Sequence, residues 1–92
     1  MQALFVGAGG LRLIGLAKSY ADDNIISGYY FVNLYDPSNT NYPHKDVLAI
    51  LIVYNVKNVD AVFQHLICAD GSLYVRLFKS ESWKEWRKVG AA

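Results

Sequence analysis

The stretch Tyr35-Asp36-Pro37-Ser38-Asn39-Thr40-Asn41-Tyr42-Pro43-His44-Lys45-Asp46 holds the side chains best suited to recognising a polyhydroxylated ligand. Sugar binding needs flat apolar faces for the C–H side of a pyranose, and planar amides or carboxylates for its hydroxyls. Tyr35, Tyr42 and His44, mixed with Asp36, Asn39, Asn41 and Asp46, supply that combination. An ordinary polar loop would use the same residue types, because Asp, Asn, Ser and Pro favour turns for local backbone reasons. The functional expectation is glycan contact through Tyr35, Asp36, Asn39, Asn41, Tyr42 and His44.

Other chemistry is less well provided for. Gly7-x-Gly9-x-x-Arg12 resembles the opening of a dinucleotide fingerprint, but its third glycine is missing and no strand–helix–strand unit follows; a bend explains it. His65 and Cys68 are three apart, which on a strand sends them to opposite faces, and two ligands are too few for a structural zinc site. No metal and no cofactor is therefore expected. The carboxylates Asp22, Asp23, Asp36, Asp46, Asp60, Asp70, Glu81 and Glu85 fall mostly at turns, and no serine occupies a nucleophile elbow. The chain is expected not to be an enzyme. Lys84, Arg87 and Lys88 beside Trp83 and Trp86 could form a stacking surface for nucleic acid. Glu81 and Glu85 dilute their charge, and a solvated arm with packed tryptophans is the preferred reading.

These side chains must be positioned mainly by strands. Gln2–Val6 could be a short strand, broken by Gly7-Ala8-Gly9-Gly10. Leu11–Tyr20 reads equally as a short amphipathic helix, with Leu13, Leu16, Ala17 and Tyr20 on one face, or as an irregular axial segment, because Gly15 weakens the helix. Aromatic and β-branched residues over Tyr29–Tyr35 form a strand that Asp36-Pro37-Ser38-Asn39 ends. Val47–Val56 is a long strand, apolar on both faces until Asn55. Val59–Cys68 and Leu73–Phe78 flank Asp70-Gly71, the strongest hairpin signal in the chain. Lys79-Ser80-Glu81-Ser82 turns the chain, and Trp83–Val89 is a last short strand or extended arm. The fold class is mainly β: a small antiparallel sheet or sandwich of about five strands with a short helical or irregular N-terminal segment. Residues 1–25 read as a linker or axial segment and residues 26–92 as the β domain.

Composition narrows the class of function. The chain has 92 residues, 53% of them hydrophobic, which makes one folded domain and excludes disorder. Only 18% are charged, against roughly 25% in an average globular chain. Small domains have much surface for their volume, so this apolar excess predicts burial against another chain. A net charge of +1 favours neither nucleic acid nor an anionic membrane. The longest apolar run, Val47 to Tyr54, is far short of a membrane-spanning helix. The start lacks signal-peptide character, and the single cysteine permits no internal disulfide, as expected for synthesis in a bacterial cytoplasm.

Several pieces then occur in a recognisable order: Gly28-Tyr29-Tyr30-Phe31-Val32, a loop with Pro43, the apolar strand Leu48–Tyr54, Phe63-Gln64, Leu73-Tyr74-Val75-Arg76 after Asp70-Gly71, and Trp83-Lys84-Glu85-Trp86-Arg87-Lys88-Val89. Over residues 26–89 this resembles the knob-type domain near the C-terminal ends of phage tail fibres and of the fibres of phage-tail-like bacteriocins (pyocins). That family carries a GxYxV strand, a central Gln, a YxR strand and a closing WxxWxK arm. Gln64, Arg76, Trp83 and Trp86 match its pattern. For these four the expectation is structural: a guanidinium can stack on an indole while its donors satisfy backbone carbonyls, and tryptophan covers a large apolar area.

The resemblance implies a homotrimeric β module at the fibre tip of a virion, facing the host and binding cell-surface polysaccharide. It implies no catalytic residue. Only about 25 residues precede the knob-like region, so the chain reads as a piece of a longer fibre or as a separately encoded tip protein. A second reading is a structural virion protein that joins fibre or baseplate parts, contacts other tail proteins and touches no receptor. A small glycan hydrolase ranks last.

Overall fold

The computed structural model describes residues 12–90. The chain forms one sheet from β1 (Leu13–Leu16), β2 (Gly28–Asn33), β3 (Leu48–Val56), β4 (Ala61–Cys68), β5 (Leu73–Lys79), β6 (Ser82–Trp83) and β7 (Arg87–Val89). The order is β1-β2-β3-β4-β5-β6, and β7 pairs with β5 beside β6. Every pairing from β2 onward is antiparallel, and β1 adds to β2 in parallel. The expected mainly β fold is therefore present, as one sheet of seven strands rather than about five.

The additional strands come from the two ends. Leu13–Leu16 is a strand, neither helix nor irregular, because the open edge of β2 offers backbone partners that a short isolated helix cannot match. Gly15, at φ 135°, would also break a helix there. Where β1 meets β2, a Cβ on Gly28 would fall 2.5 Å from Ile14 Cγ1 and 2.9 Å from the Arg12 carbonyl, so only glycine fits. At the other end the Trp83–Val89 arm forms two short strands with Lys84–Trp86 between them. The possible strand Gln2–Val6 and the Gly7–Gly10 break lie outside the described residues.

The two sheet faces have different fates. Tyr30, Val32, Ala49, Leu51, Val53, Val62, Leu66 and Cys68 alternate along β2, β3 and β4 onto one face and are buried. Leu34 and Val47 join them, and Ala17, Tyr42, Tyr74, Phe78, Trp83 and Trp86 pack over this core. The opposite face is almost as apolar and has no cover among the described residues. Tyr29, Phe31, Ile50, Tyr54, Phe63 and Ile67 are all more than a third exposed on it. His65, between Ile52 of β3 and Val75 of β5, is a polar side chain among the apolar ones of the central strands. Among the described residues no helix is long and apolar enough to cross a membrane.

Candidate functional site

On the covered face, register places Gln64 of β4 opposite Arg76 of β5. Both are buried, and each polar group needs a partner. Arg76 Nε donates to Gln64 Oε1 at 2.8 Å. Gln64 Nε2 donates to the carbonyls of Ala21 (3.0 Å) and Asn24 (2.8 Å), which lie in and after the 3-10 turn Ala21–Asp23. Arg76 Nη2 lies 2.8 Å from Asp22 Oδ1 as an ion pair, without the N–H alignment of a hydrogen bond. Its guanidinium carbon stands 3.9 Å from the Trp83 ring centroid and 4.5 Å from that of Trp86. Burial lowers the Arg76 pKa, and Asp22 opposes that shift.

The expected guanidinium–indole stack is thus present and involves both tryptophans. The arginine Nε donates to Gln64 and the charge faces Asp22, and Gln64 reaches the backbone carbonyls in the arginine's place. Asn24, 1% exposed, extends the chain of bonds: its Oδ1 accepts from Lys18 N, and its Nδ2 donates to the Ala21 carbonyl and to the Tyr42 hydroxyl. Asn24 belongs to none of the sequence motifs. Its role depends on contacts that no local pattern announces.

The loop that was expected to touch glycan is divided between several jobs. Tyr42 is half-buried, and its hydroxyl donates to the Lys18 carbonyl at 2.6 Å. Burial pushes its pKa up to about 12. Asn41 Nδ2 donates to Asp22 Oδ1 at 2.6 Å, and the Asn41 carbonyl accepts from Trp86 Nε1 at 3.0 Å. His44 Nε2 lies 2.8 Å from Asp70 Oδ2, tying the loop to the β4–β5 hairpin, and its ring tilts against Tyr74. Hydrogen bonds from Ser72 and then His44 hold the Asp70 carboxyl well below the usual carboxylate range. Tyr35 is 60% exposed.

Asp36 and Asn39 form a separate group. They line a cleft of about 290 Å³ with Leu16, Ala17, Ser19, Phe31, Val32, Asn33 and Ser38. A second cleft, of about 400 Å³, is lined by Asp22, Asn41, Arg76, Trp83, Lys84, Glu85 and Trp86. The structure therefore does not gather the six loop residues at one place. Asp36 and Asn39 meet in the first cleft, Asn41 lies at the second, and Tyr42 and His44 brace the loop. His65 is exposed on the open face and Cys68 buried on the other, and burial raises the Cys68 thiol pKa. Among the described residues no three His, Cys, Asp or Glu side chains are grouped as metal ligands.

No family model and no curated protein matches the chain. Among solved structures it is similar to the R1 pyocin fibre of P. aeruginosa, determined as C-terminal residues 323-701, with a TM-score of 0.70 and 24% sequence identity. The likeness covers 91% of this chain and 24% of that one, so the chain spans about a quarter of that fibre fragment. What the two share is the fold.

Proposed function

We propose that this chain is the receptor-binding tip domain of a phage tail fibre or of a phage-tail-like bacteriocin fibre. It sits at the fibre tip of the particle, assembles as a homotrimer and binds host cell-surface polysaccharide without catalysing a reaction. The observation that carries the reading is the fold held in common with a piece of a pyocin fibre. The ordered motifs from Gly28 to Val89 support it independently.

Trimerisation has its own support in the uncovered sheet face. Soluble monomers rarely leave a broad contiguous apolar patch in water. Here Ile50, Tyr54, Phe63 and Ile67 sit side by side on the two central strands. Packing this β3–β4 patch against two further copies removes it from water, leaves Phe31 of β2 at its rim, and presents three weak sugar sites together, which raises avidity without any new contact.

Light scattering coupled to size exclusion tests the assembly, with an expected mass three times the 10.3 kDa of one chain. Flow cytometry of the labelled trimer on candidate host cells tests recognition. A monomer that binds no cells would overturn the reading. The same open face is also suited to a neighbouring tail protein. A stable heteromeric complex on co-expression, with no binding to cells, would favour an assembly role.

A further inference from the structure

The cleft holding Asp36 and Asn39 has the composition of a sugar subsite. Phe31, 37% exposed, and Leu16, 74% exposed, supply an apolar wall where β1 lies beside β2. The opposite wall is polar and already oriented. Asp36 Oδ1 accepts from Ser38 N (2.9 Å) and Ser38 Oγ (2.8 Å). Asn39 Nδ2 donates to the Asn33 carbonyl at 2.6 Å, and Asn33 Oδ1 accepts from Tyr35 N at 3.0 Å. These bonds fix the planar groups and use only one side of each. Asp36 Oδ2, Asn39 Oδ1 and Asn33 Nδ2 make no hydrogen bond to another described residue, which leaves two acceptors and a donor for a ligand.

We propose that this cleft binds one uncharged hexopyranose unit of a cell-surface glycan, with Phe31 against the C–H face of the ring and Asp36, Asn39 and Asn33 on its hydroxyls. The inference rests on the receptor-binding reading and adds the place and the charge class of the ligand. At about 290 Å³ the cleft sits near the lower limit of small-ligand pockets, roughly 300 Å³, which suits a single sugar ring. Charge selects the class. No lysine, arginine or histidine lines the cleft, and the hydrogen bonds from Ser38 keep Asp36 ionised into acid, so a uronic acid or phosphorylated sugar meets only repulsion. The cleft beside Trp83 and Trp86 is less suitable: the guanidinium covers a face of each indole, and Asp22 and Asn41 are bonded to each other.

The test is a titration of the full ¹⁵N-labelled chain with methyl glycosides of glucose, galactose, mannose and rhamnose, and with methyl glucuronide, followed by amide shifts. At least one neutral glycoside is expected to saturate with a dissociation constant on the order of millimolar. The shifts should centre on Leu16–Ser19 and Asp36–Asn39, with no response to the glucuronide. Asp36→Asn should weaken the neutral sugar about tenfold, as removal of a charge-assisted hydrogen bond does, and reduce discrimination against the glucuronide. Phe31→Leu keeps an apolar side chain without a flat face and should also weaken binding while leaving the melting temperature within a few degrees. Equal binding of glucuronide and neutral sugars, or saturable shifts confined to Asn41 and Trp86, overturns the subsite. If host cells bind Asp36→Asn and Phe31→Leu as well as the parent chain, the receptor reading stands and this site falls. If neither cells nor sugars bind the parent chain, both fall.

Discussion

The Arg76 guanidinium carbon stands 3.9 Å from the centroid of the Trp83 ring, close enough to desolvate the cation and hold it by its charge against the ring face. Trp86 packs at 4.5 Å from the same carbon, and Gln64 Oε1 takes the Nε proton. One buried side chain thereby fastens the C-terminal arm to β4 and, through Gln64, to the segment Ala21–Asn24.

Arg76→Met keeps much of the side-chain volume but leaves Gln64 Oε1 without its donor and Asp22 without its counter-ion. Loss of about 3 kcal/mol is expected, in line with breaking a buried ionic group from one side. Arg76→Lys should recover little of it, because an ammonium lacks the planar fork that stacks between indoles. Urea denaturation followed by tryptophan fluorescence reads both; a lysine variant as stable as the parent would show that charge alone matters.

Tyr42 bridges the loop to Asn24 and Lys18, so Tyr42→Phe should cost about 1 kcal/mol by removing those bonds while preserving the ring. Its pKa is raised in the folded state, so folding favours the neutral phenol. That stability is complete below the ordinary tyrosine value of about 10 and is lost as pH rises towards about 12. Thermal melts between those limits should fall less steeply for Tyr42→Phe than for the parent. Parallel curves would place the alkaline loss elsewhere.

The Asp70 carboxylate has a lowered pKa in the fold, with Ser72 and then His44 as its donors. Its contribution is present above the ordinary carboxylate value of about 4 and is lost as pH falls below that towards the lower folded-state value. Asp70→Asn should therefore lower the melting temperature at pH 7 and narrow the gap from the parent in strong acid. A constant gap across acid pH would separate Asp70 from the acid transition.

Ser80 and Glu81 join β5 to β6 with φ of 56° and 64°, the left-handed backbone that a two-residue hairpin turn of this twist demands. Neither residue is suited to it. Glu81→Gly should stabilise the chain by about 0.5–1 kcal/mol by relieving that strain, despite the added freedom of the unfolded chain. Calorimetric melting decides it, and a lower melting temperature would mean that the Glu81 side chain makes a contact worth more than the strain.

Residue type and turn chemistry alone determined the middle of the molecule. The aromatic and β-branched run Tyr29–Tyr35, the apolar run Leu48–Tyr54 and the Asp70-Gly71 turn each specify local backbone geometry, so β2 to β5 were legible from residues near each other in the chain. The pairing of guanidinium with indole was foreseeable only through the resemblance to fibre knobs, whose pattern Arg76, Trp83 and Trp86 match. Tertiary structure decided the rest. Leu13–Leu16 became a strand only because β2 offered an edge, and Tyr42 became a brace only because Asn24, eighteen residues earlier, lies beneath it. Phe31, Asn33 and Ser38 joined Asp36 and Asn39 at one cleft only when β1 lay down beside β2. Such groupings depend on which free edges and unpaired polar groups meet after the chain has folded, and that information belongs to no single stretch of sequence.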